Sequence, residues 1–386
     1  MKKLLCIAFT VLFLLSETAF VPITAAANSA SSYCVIDAMT GRVLYEKNAR
    51  EKRGMASTTK IMTAIVALER ANPSDMASVS YNASRTEGSS LYLKPSEKMS
   101  ITDLVYGLML NSGNDAAVVL AEHIGGSVEG FAAMMNETAK KICANSTNFT
   151  NPNGLYDENH YTTAYDLALI ARYAMKNETF AQIVSTKKYT AHAVSASGER
   201  NIYLSNHNKL LSMLEGCDGV KTGFTKKTGR CLVSSATRKG QRIICVTLNA
   251  PDDWNDHTSL INTAFSEYKM RRLISAGQYI RTVPVQGGIA DSVGVVAAED
   301  IYVPAKENET LDFELVYDIA QQIDAPISQG QDAGKVEVVY NGESVTQAKL
   351  ITVANVEISD KKNVTNLLFE FCAKFLKLAI LIILYT

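Results

Sequence analysis

Ser57-Thr58-Thr59-Lys60 places a hydroxyl and an amine three residues apart, so in a helical turn both side chains lie on one face within contact. A serine hydroxyl becomes a nucleophile when a base takes its proton, and a lysine whose pKa is lowered by burial can be that base. The positive end of a helix starting here favours the developing alkoxide. The chemistry expected is serine catalysis without a histidine. About two S-x-x-K matches are expected by chance in a chain of this size, and four occur: Ser57/Lys60, Ser185/Lys188, Ser266/Lys269 and Ser359/Lys362. Only the first opens a long apolar-periodic helix. The second runs into the strand-like Tyr189 to Val194, and the last lies beside the C-terminal tail.

Two further elements add to that pair. Ser112-Gly113-Asn114 falls between two predicted helices, where a loop presents a hydroxyl and an amide to a cleft; the ordinary alternative for Ser112 is a helix cap. Lys221-Thr222-Gly223 falls in a predicted strand, where alternation aims Lys221 and Gly223 to one side and the glycine admits a close backbone approach by substrate. A K-T-G triplet is expected only about 0.1 times by chance, so it is the most specific of the three. Its second copy, Lys227-Thr228-Gly229, falls in a turn and reads as structural.

The positioning elements follow from periodicity. Ser32 to Ile36 and Arg42 to Tyr45 read as a β-hairpin around Met39-Thr40-Gly41. Ile61, Met62, Ile65, Val66 and Leu68 recur at helical spacing and predict a helix from about Ser57 to Arg70. Further helices are predicted over Ile101 to Leu110, Asp115 to His123 and Ala164 to Met175, the last with Thr163 and Asp166 as a capping pair. Asp218 to Thr225, Cys231 to Thr237 and Arg242 to Leu248 read as antiparallel strands. One α/β sheet closed by distant segments is the economical arrangement, followed beyond about Gly277 by short strands such as Val293 to Ala297, Val336 to Tyr340 and Lys349 to Ala354.

The 386 residues allow two or three domains. Lys plus Arg (38) against Asp plus Glu (39) leaves no positive field for a phosphate backbone, so no nucleic-acid partner is expected. Residues 1–27 have the layout of a secretory signal peptide: Lys2 and Lys3, the apolar Leu4 to Leu15, then Ala25-Ala26-Ala27. At the other end Glu370, Lys374 and Lys377 fall on one helical face and Leu368, Phe371, Phe375, Leu378 and Ile382 on the other, as in a helix lying in a membrane interface. Residues 361–386 carry a net +3, where lipid headgroups would lie. The expected division is thus a signal peptide (1–27), a catalytic domain (28–276), a β-rich domain (277–360) and an amphipathic anchor helix (361–386). Six cysteines remain after the signal, without C-x-x-C or metal-ligand spacing; free thiols, no metal and no cofactor are expected.

The order S-x-x-K, S-x-N, K-T-G on helix start, interhelical loop and strand is the signature of the penicillin-recognising serine enzymes. From about Ser32 to the end the chain resembles the serine-type D-alanyl-D-alanine carboxypeptidases, the low-molecular-weight penicillin-binding proteins. The resemblance includes Asn151-Pro152-Asn153-Gly154-Leu155, His160 to Leu167, Asp218 to Thr225 and Ala325-Pro326-Ile327 to Gly334. It implies a β-lactamase/transpeptidase-like α/β domain, antiparallel sheet flanked by helices, and a small β-rich second domain. It implies that Ser57 attacks the carbonyl between the two terminal D-alanines of a peptidoglycan stem peptide and that Lys60 takes its proton. Ser112, with Asn114 and Lys221, would relay a proton to the leaving D-alanine, while Lys221 and Thr222 hold the terminal carboxylate. Gly223 would line the substrate path, and the backbone N–H groups of Ser57 and Phe224 would form the oxyanion hole. β-Lactams are the implied covalent inhibitors, and the implied location is the outer face of the bacterial cytoplasmic membrane, peripherally anchored.

Some relatives carry a carboxylate-binding Arg beyond the strand that follows K-T-G; Pro251 to His257 contains none, and His257 reads as a solvated loop histidine. The other four histidines, His160 among them, read as structural. One alternative is a β-lactamase, but Asn151 to His160 lacks the E-x-x-L-N loop of class A enzymes. The other is a non-catalytic β-lactam receptor, which needs a spanning or partner-binding module.

Overall fold

The structure, a computed structural model, describes residues 28–311, 313–340, 342–359 and 368–376. The expected signal segment, residues 1–27, lies outside the described residues.

The opening hairpin forms from β1 (Ser32–Asp37) and β2 (Val43–Lys47), with Gly41 at φ +73 in its turn. A 3-10 turn, Ala56–Thr59, leads into α1 (Lys60–Arg70), whose first eight residues are all buried. Such a helix belongs at the centre of a core rather than on its surface. After the short β3 (Met76–Ser78) and β4 (Lys98–Ser100) come α2 (Ile101–Leu110), α3 (Asn114–Gly125), α4 (Val128–Lys141), α5 (Ala164–Ala174) and α6 (Glu178–Ser185). Hydroxyl caps start α2, α4 and α5: the Ser100, Ser127 and Thr163 oxygens each accept the N–H three residues on, at 3.0 Å. The Thr163 half of the expected capping pair is realised. Asp166 instead accepts the Ser146 N–H and the Thr147 hydroxyl, tying α5 to the loop before it.

Hairpin β5 (Lys188–Ser195) and β6 (Gly198–Ser205) joins β3 and β4 in a four-stranded sheet. Then β7 (Cys217–Thr225), β8 (Gly229–Arg238) and β9 (Gln241–Leu248) join the N-terminal hairpin in the order β2-β1-β9-β8-β7, every neighbouring pair antiparallel. Tyr33 stands opposite Thr247, so the sheet is closed by segments more than 200 residues apart, as expected. Strands β2 and β7 are its two edges, and among the described residues β7 pairs with another strand only on its β8 side.

Helices α1 to α6 cover one face of this sheet and α7 (Asp253–Glu267) the other, where Ile261, Ala264 and Phe265 meet Val35, Leu232, Ile243 and Cys245. This corrects the reading of Pro251 to His257 as a solvated loop. His257 is fully buried on α7, bonded through Nδ1 to the Ser234 hydroxyl and through Nε2 to the Thr247 hydroxyl at 2.9 Å. Burial pushes its pKa down to about 3, so it stays neutral and binds no carboxylate. The six cysteines outside residues 1–27 are free thiols.

The chain continues through β10 (Lys269–Ile274), β11 (Tyr279–Gln286), β12 (Ser292–Ala297), β13 (Ile301–Ala305), β14 (Glu314–Ile319), β15 (Ile323–Asp324), β16 (Asp332–Tyr340) and β17 (Glu343–Thr352). These build a six-stranded sheet and the β10–β13 pair around Val283, Val295, Val336, Val338 and Leu350. Arg42 of the first hairpin links the two halves. Its guanidinium donates to the Pro304 carbonyl (2.6 Å) and to Glu309, beside the rings of Tyr268, Phe313 and Tyr340. Residues 368–376 form a helix exposing Leu368, Phe369, Phe371, Phe375 and Leu376. Among the described residues no helix is long and apolar enough to cross a membrane.

Candidate active site

The candidate nucleophile sits on a strained turn. Ala56 adopts φ +47, a left-handed conformation that costs a non-glycine residue about 1–3 kcal/mol. The next residues form a 3-10 turn rather than the α-helix expected from Ser57, held by the Thr58 hydroxyl on the Met55 carbonyl (2.6 Å) and the Thr59 hydroxyl on the Ala56 carbonyl (2.8 Å). In 3-10 geometry residues i and i+3 eclipse, which stacks Lys60 directly on Ser57.

Lys60 is wholly buried. Its Nζ lies 3.0 Å from Ser57 Oγ, 2.7 Å from Asn114 Oδ1 and 2.6 Å from the Asn153 carbonyl. Asn114 Oδ1 and the Asn153 carbonyl can only accept, so a neutral Lys60 amine spends its two N–H bonds on them and turns its lone pair to the Ser57 hydroxyl. Burial, and then the nearby charge of Lys221, hold the Lys60 pKa well below the ordinary lysine value, against an opposing pull from Asp115. The pocket therefore disfavours the charged form of Lys60 and aims its amine at Ser57 Oγ.

Asn114 is oriented by its own Nδ2, which donates to the Glu87 carbonyl at 2.6 Å. Buried Asp115 accepts the N–H groups of Leu91 and Leu93 and the Ser90 hydroxyl, pinning the 87–93 segment over the loop. Ser112 is nearly buried at φ +61, and the cap of α3 is Gly113, so its hydroxyl is not spent as a helix cap.

On β7, Lys221 is 2% exposed, its Nζ donates to the Thr222 carbonyl at 2.9 Å, and burial lowers its pKa to about 7. Thr222 is half-buried and Phe224 is exposed at the open end. A Cβ on Gly223 would stand 3.1 Å from the N atoms of Ser57 and Thr58 and 3.2 Å from the Met55 carbonyl. The close approach this glycine permits is thus to the turn of the candidate nucleophile itself. Lys227-Thr228-Gly229 forms the β7–β8 turn, with the Thr228 N–H on the Thr225 hydroxyl and Gly229 at φ +71.

The Asn153 carbonyl is a site group that motif reading did not single out. Its turn is built by side chains: Asn151 Oδ1 accepts the Gly154 N–H (2.8 Å) and Asn153 Oδ1 the Leu155 N–H (3.0 Å). Gly154 has φ +84, and a Cβ there would lie 2.0 Å from the Ala56 carbonyl. Gly154→Ala is therefore expected to destabilise the fold by about 1–3 kcal/mol and to lower acylation about tenfold or more, because the Ala56–Ser57 turn must shift. Thermal unfolding and penicillin-labelling kinetics check both; an active variant of unchanged melting temperature would contradict the packing.

Residues 19–252 match the family model described as D-alanyl-D-alanine carboxypeptidase, and residues 268–358 match the penicillin-binding protein 5 C-terminal domain. The chain is 34% identical over 331 residues to the D-alanyl-D-alanine carboxypeptidase DacF of Bacillus subtilis, covering 83% of this chain and 84% of that protein. Among solved structures, penicillin binding protein 5 from Haemophilus influenzae is similar at TM-score 0.65 and 29% identity, covering 86% of this chain and 98% of that one. DacD from Francisella tularensis is similar at TM-score 0.62 and 30% identity, covering 86% and 94%. With its serine–lysine pair bonded to Asn114 of the S-x-N loop and packed against Gly223 of the K-T-G edge strand, the chain belongs to the serine D-alanyl-D-alanine carboxypeptidases, the low-molecular-weight penicillin-binding proteins.

Proposed function

We propose that the protein removes the terminal D-alanine from peptidoglycan stem pentapeptides through an acyl-enzyme on Ser57. The observation that carries this is the Lys60 amine, held by two pure acceptors with its remaining valence on Ser57 Oγ. An extended peptide adds along the free edge of β7, its carboxylate toward Lys221 and Thr222. Ser57 Oγ bonds to the penultimate carbonyl carbon as its proton passes to Lys60 Nζ. The oxyanion meets the N–H groups of Ser57 and Phe224. The C–N bond then breaks, and the departing amine takes the proton from Lys60 Nζ, relayed through the Ser112 hydroxyl beside Asn114 and Lys221, which leaves Lys60 neutral again. Water attacks the ester, Lys60 takes the water's proton, and Ser57 leaves as the alcohol. β-Lactams enter the same route and stall as the acyl-enzyme. D-alanine release from a D-Ala-D-Ala tripeptide, measured beside labelling by a fluorescent penicillin, tests the reading; a folded protein that does neither overturns it.

The same reading includes export by residues 1–27 and peripheral anchoring on the outer face of the cytoplasmic membrane by residues 361–386. Its support is the exposed apolar set of the 368–376 helix beside Lys374. Deleting residues 361–386 is expected to release an active, soluble enzyme. The intact protein is expected to bind anionic vesicles in a salt-sensitive way, since part of the attraction is screened. A truncated protein that stays with membranes, or loses activity on the tripeptide, would contradict this.

A further inference from the structure

We propose that His160 is a positioning residue for the nucleophile, acting through Thr59 on the carbonyl of Ala56. The inference rests on Ser57 being the nucleophile. His160 is 4% exposed, and its ring stands edge-on to Phe149 at 5.8 Å. The Thr150 N–H donates to its Nδ1 at 3.1 Å, which leaves the ring proton on Nε2. Nε2 lies 2.8 Å from the Thr59 hydroxyl oxygen, and the Thr59 hydroxyl spends its own proton on the Ala56 carbonyl at 2.8 Å. The direction of every bond in this relay is thereby fixed: Thr150 N–H to ring, ring to Thr59, Thr59 to Ala56.

The relay ends on the residue that needs holding. Ala56 is the left-handed residue immediately before Ser57, and such a conformation persists only where its surroundings over-determine it. The backbone of Gly154 packs on the same carbonyl, and the loop that carries Gly154 and His160 also supplies the Asn153 carbonyl to Lys60. One loop thus sets the nucleophile from one side and its base from the other. Burial lowers the His160 pKa to about 4 against the pull of Asp157, so the ring keeps its acceptor for Thr150 through the neutral range. His160 does not touch Ser57; its influence passes through Thr59.

The test separates a positioning role from a merely structural one by splitting binding from chemistry. Penicillin acylation is measured in stopped flow for His160→Asn, which keeps an acceptor for Thr150 but loses the donor to Thr59, and for Thr59→Val, which removes the relay hydroxyl at constant shape. Each is expected to lower the first-order acylation rate about tenfold to a hundredfold while the dissociation constant of the pre-covalent complex stays within about twofold. The double variant is expected to lose no more than the worse single one, because both cut one relay. His160→Gln and Thr59→Ser, which restore the donor and the hydroxyl, are expected to recover most of the rate. Melting curves identify any variant that fails to fold; if His160→Asn does, the Thr59→Val and Thr59→Ser comparison decides alone. Unchanged acylation in folded Thr59→Val, or losses that multiply in the double variant, would overturn the proposal. A wild-type protein that takes no penicillin on Ser57 would instead sink the functional reading on which it rests.

Discussion

Ser57→Ala is expected to abolish both D-alanine release and penicillin labelling, by at least about 10³-fold, while the protein stays folded. The loss is large because, among the described residues around Lys60, Ser57 is the hydroxyl its amine meets. Stability should barely change, since the residue is half-exposed and its hydroxyl contact is to Lys60. Two of the other S-x-x-K serines, Ser185 and Ser266, stand in different surroundings. Ser185 donates to the Gln182 carbonyl and Ser266 to the Thr263 carbonyl, ordinary backbone contacts on exposed helix ends. Ser185→Ala and Ser266→Ala should therefore label at the wild-type rate. Mass-spectrometric mapping of the penicillin adduct to any serine but Ser57 would reject the assignment.

Legibility in the sequence tracked where the physics is local. Ser57 and Lys60 could be paired because a helical turn brings i and i+3 together whatever surrounds it, and α2 was bounded correctly because Ser100 and the apolar run Leu104 to Leu110 are a local start signal and core stripe. The Asn153 carbonyl could not be found that way. Any residue carries a carbonyl, and only the fold says which one points at a lysine. Gly223 reads from the sequence as a substrate-approach glycine and Gly154 only as part of a matched stretch, but what excludes a side chain at each is a contact with the turn that carries Ser57, about 100 and 170 residues away in sequence.

Helix α7 and His257 show the opposite failure. The buried positions of this helix are Asp253, Asp256, His257, Ile261, Ala264 and Phe265, so half of its inward stripe is polar and hydrophobic periodicity does not register it. Those polar groups are tolerated inside because each finds a partner: Asp253 takes Arg230, Asp256 takes the Ser29 N–H and hydroxyl, and His257 bridges Ser234 and Thr247. Reading a histidine among aspartates as solvated assumed that polar residues face water, which fails wherever the sheet supplies matching hydroxyls.

The two buried lysines are expected to separate under substitution and pH. Lys60→Arg should slow acylation by about 10³-fold or more, since a guanidinium keeps its proton at every working pH and has no lone pair for the Ser57 hydroxyl. Lys221→Arg should keep part of the activity, because a carboxylate anchor needs charge rather than basicity, with some loss from fitting a larger group where Lys221 is 2% exposed. Burial lowers the Lys221 pKa to about 7, so kcat/KM for a carboxylate substrate should fall as pH rises past that value and the anchoring charge is lost. Once bound, the substrate carboxylate favours the charged lysine and raises that pKa, so kcat should hold to higher pH than kcat/KM. In Lys221→Arg the anchor cannot lose its proton, and the descending limb of kcat/KM should disappear. Equal losses from the two substitutions, or a limb that survives in Lys221→Arg, would mean that Lys221 shares the proton chemistry assigned to Lys60.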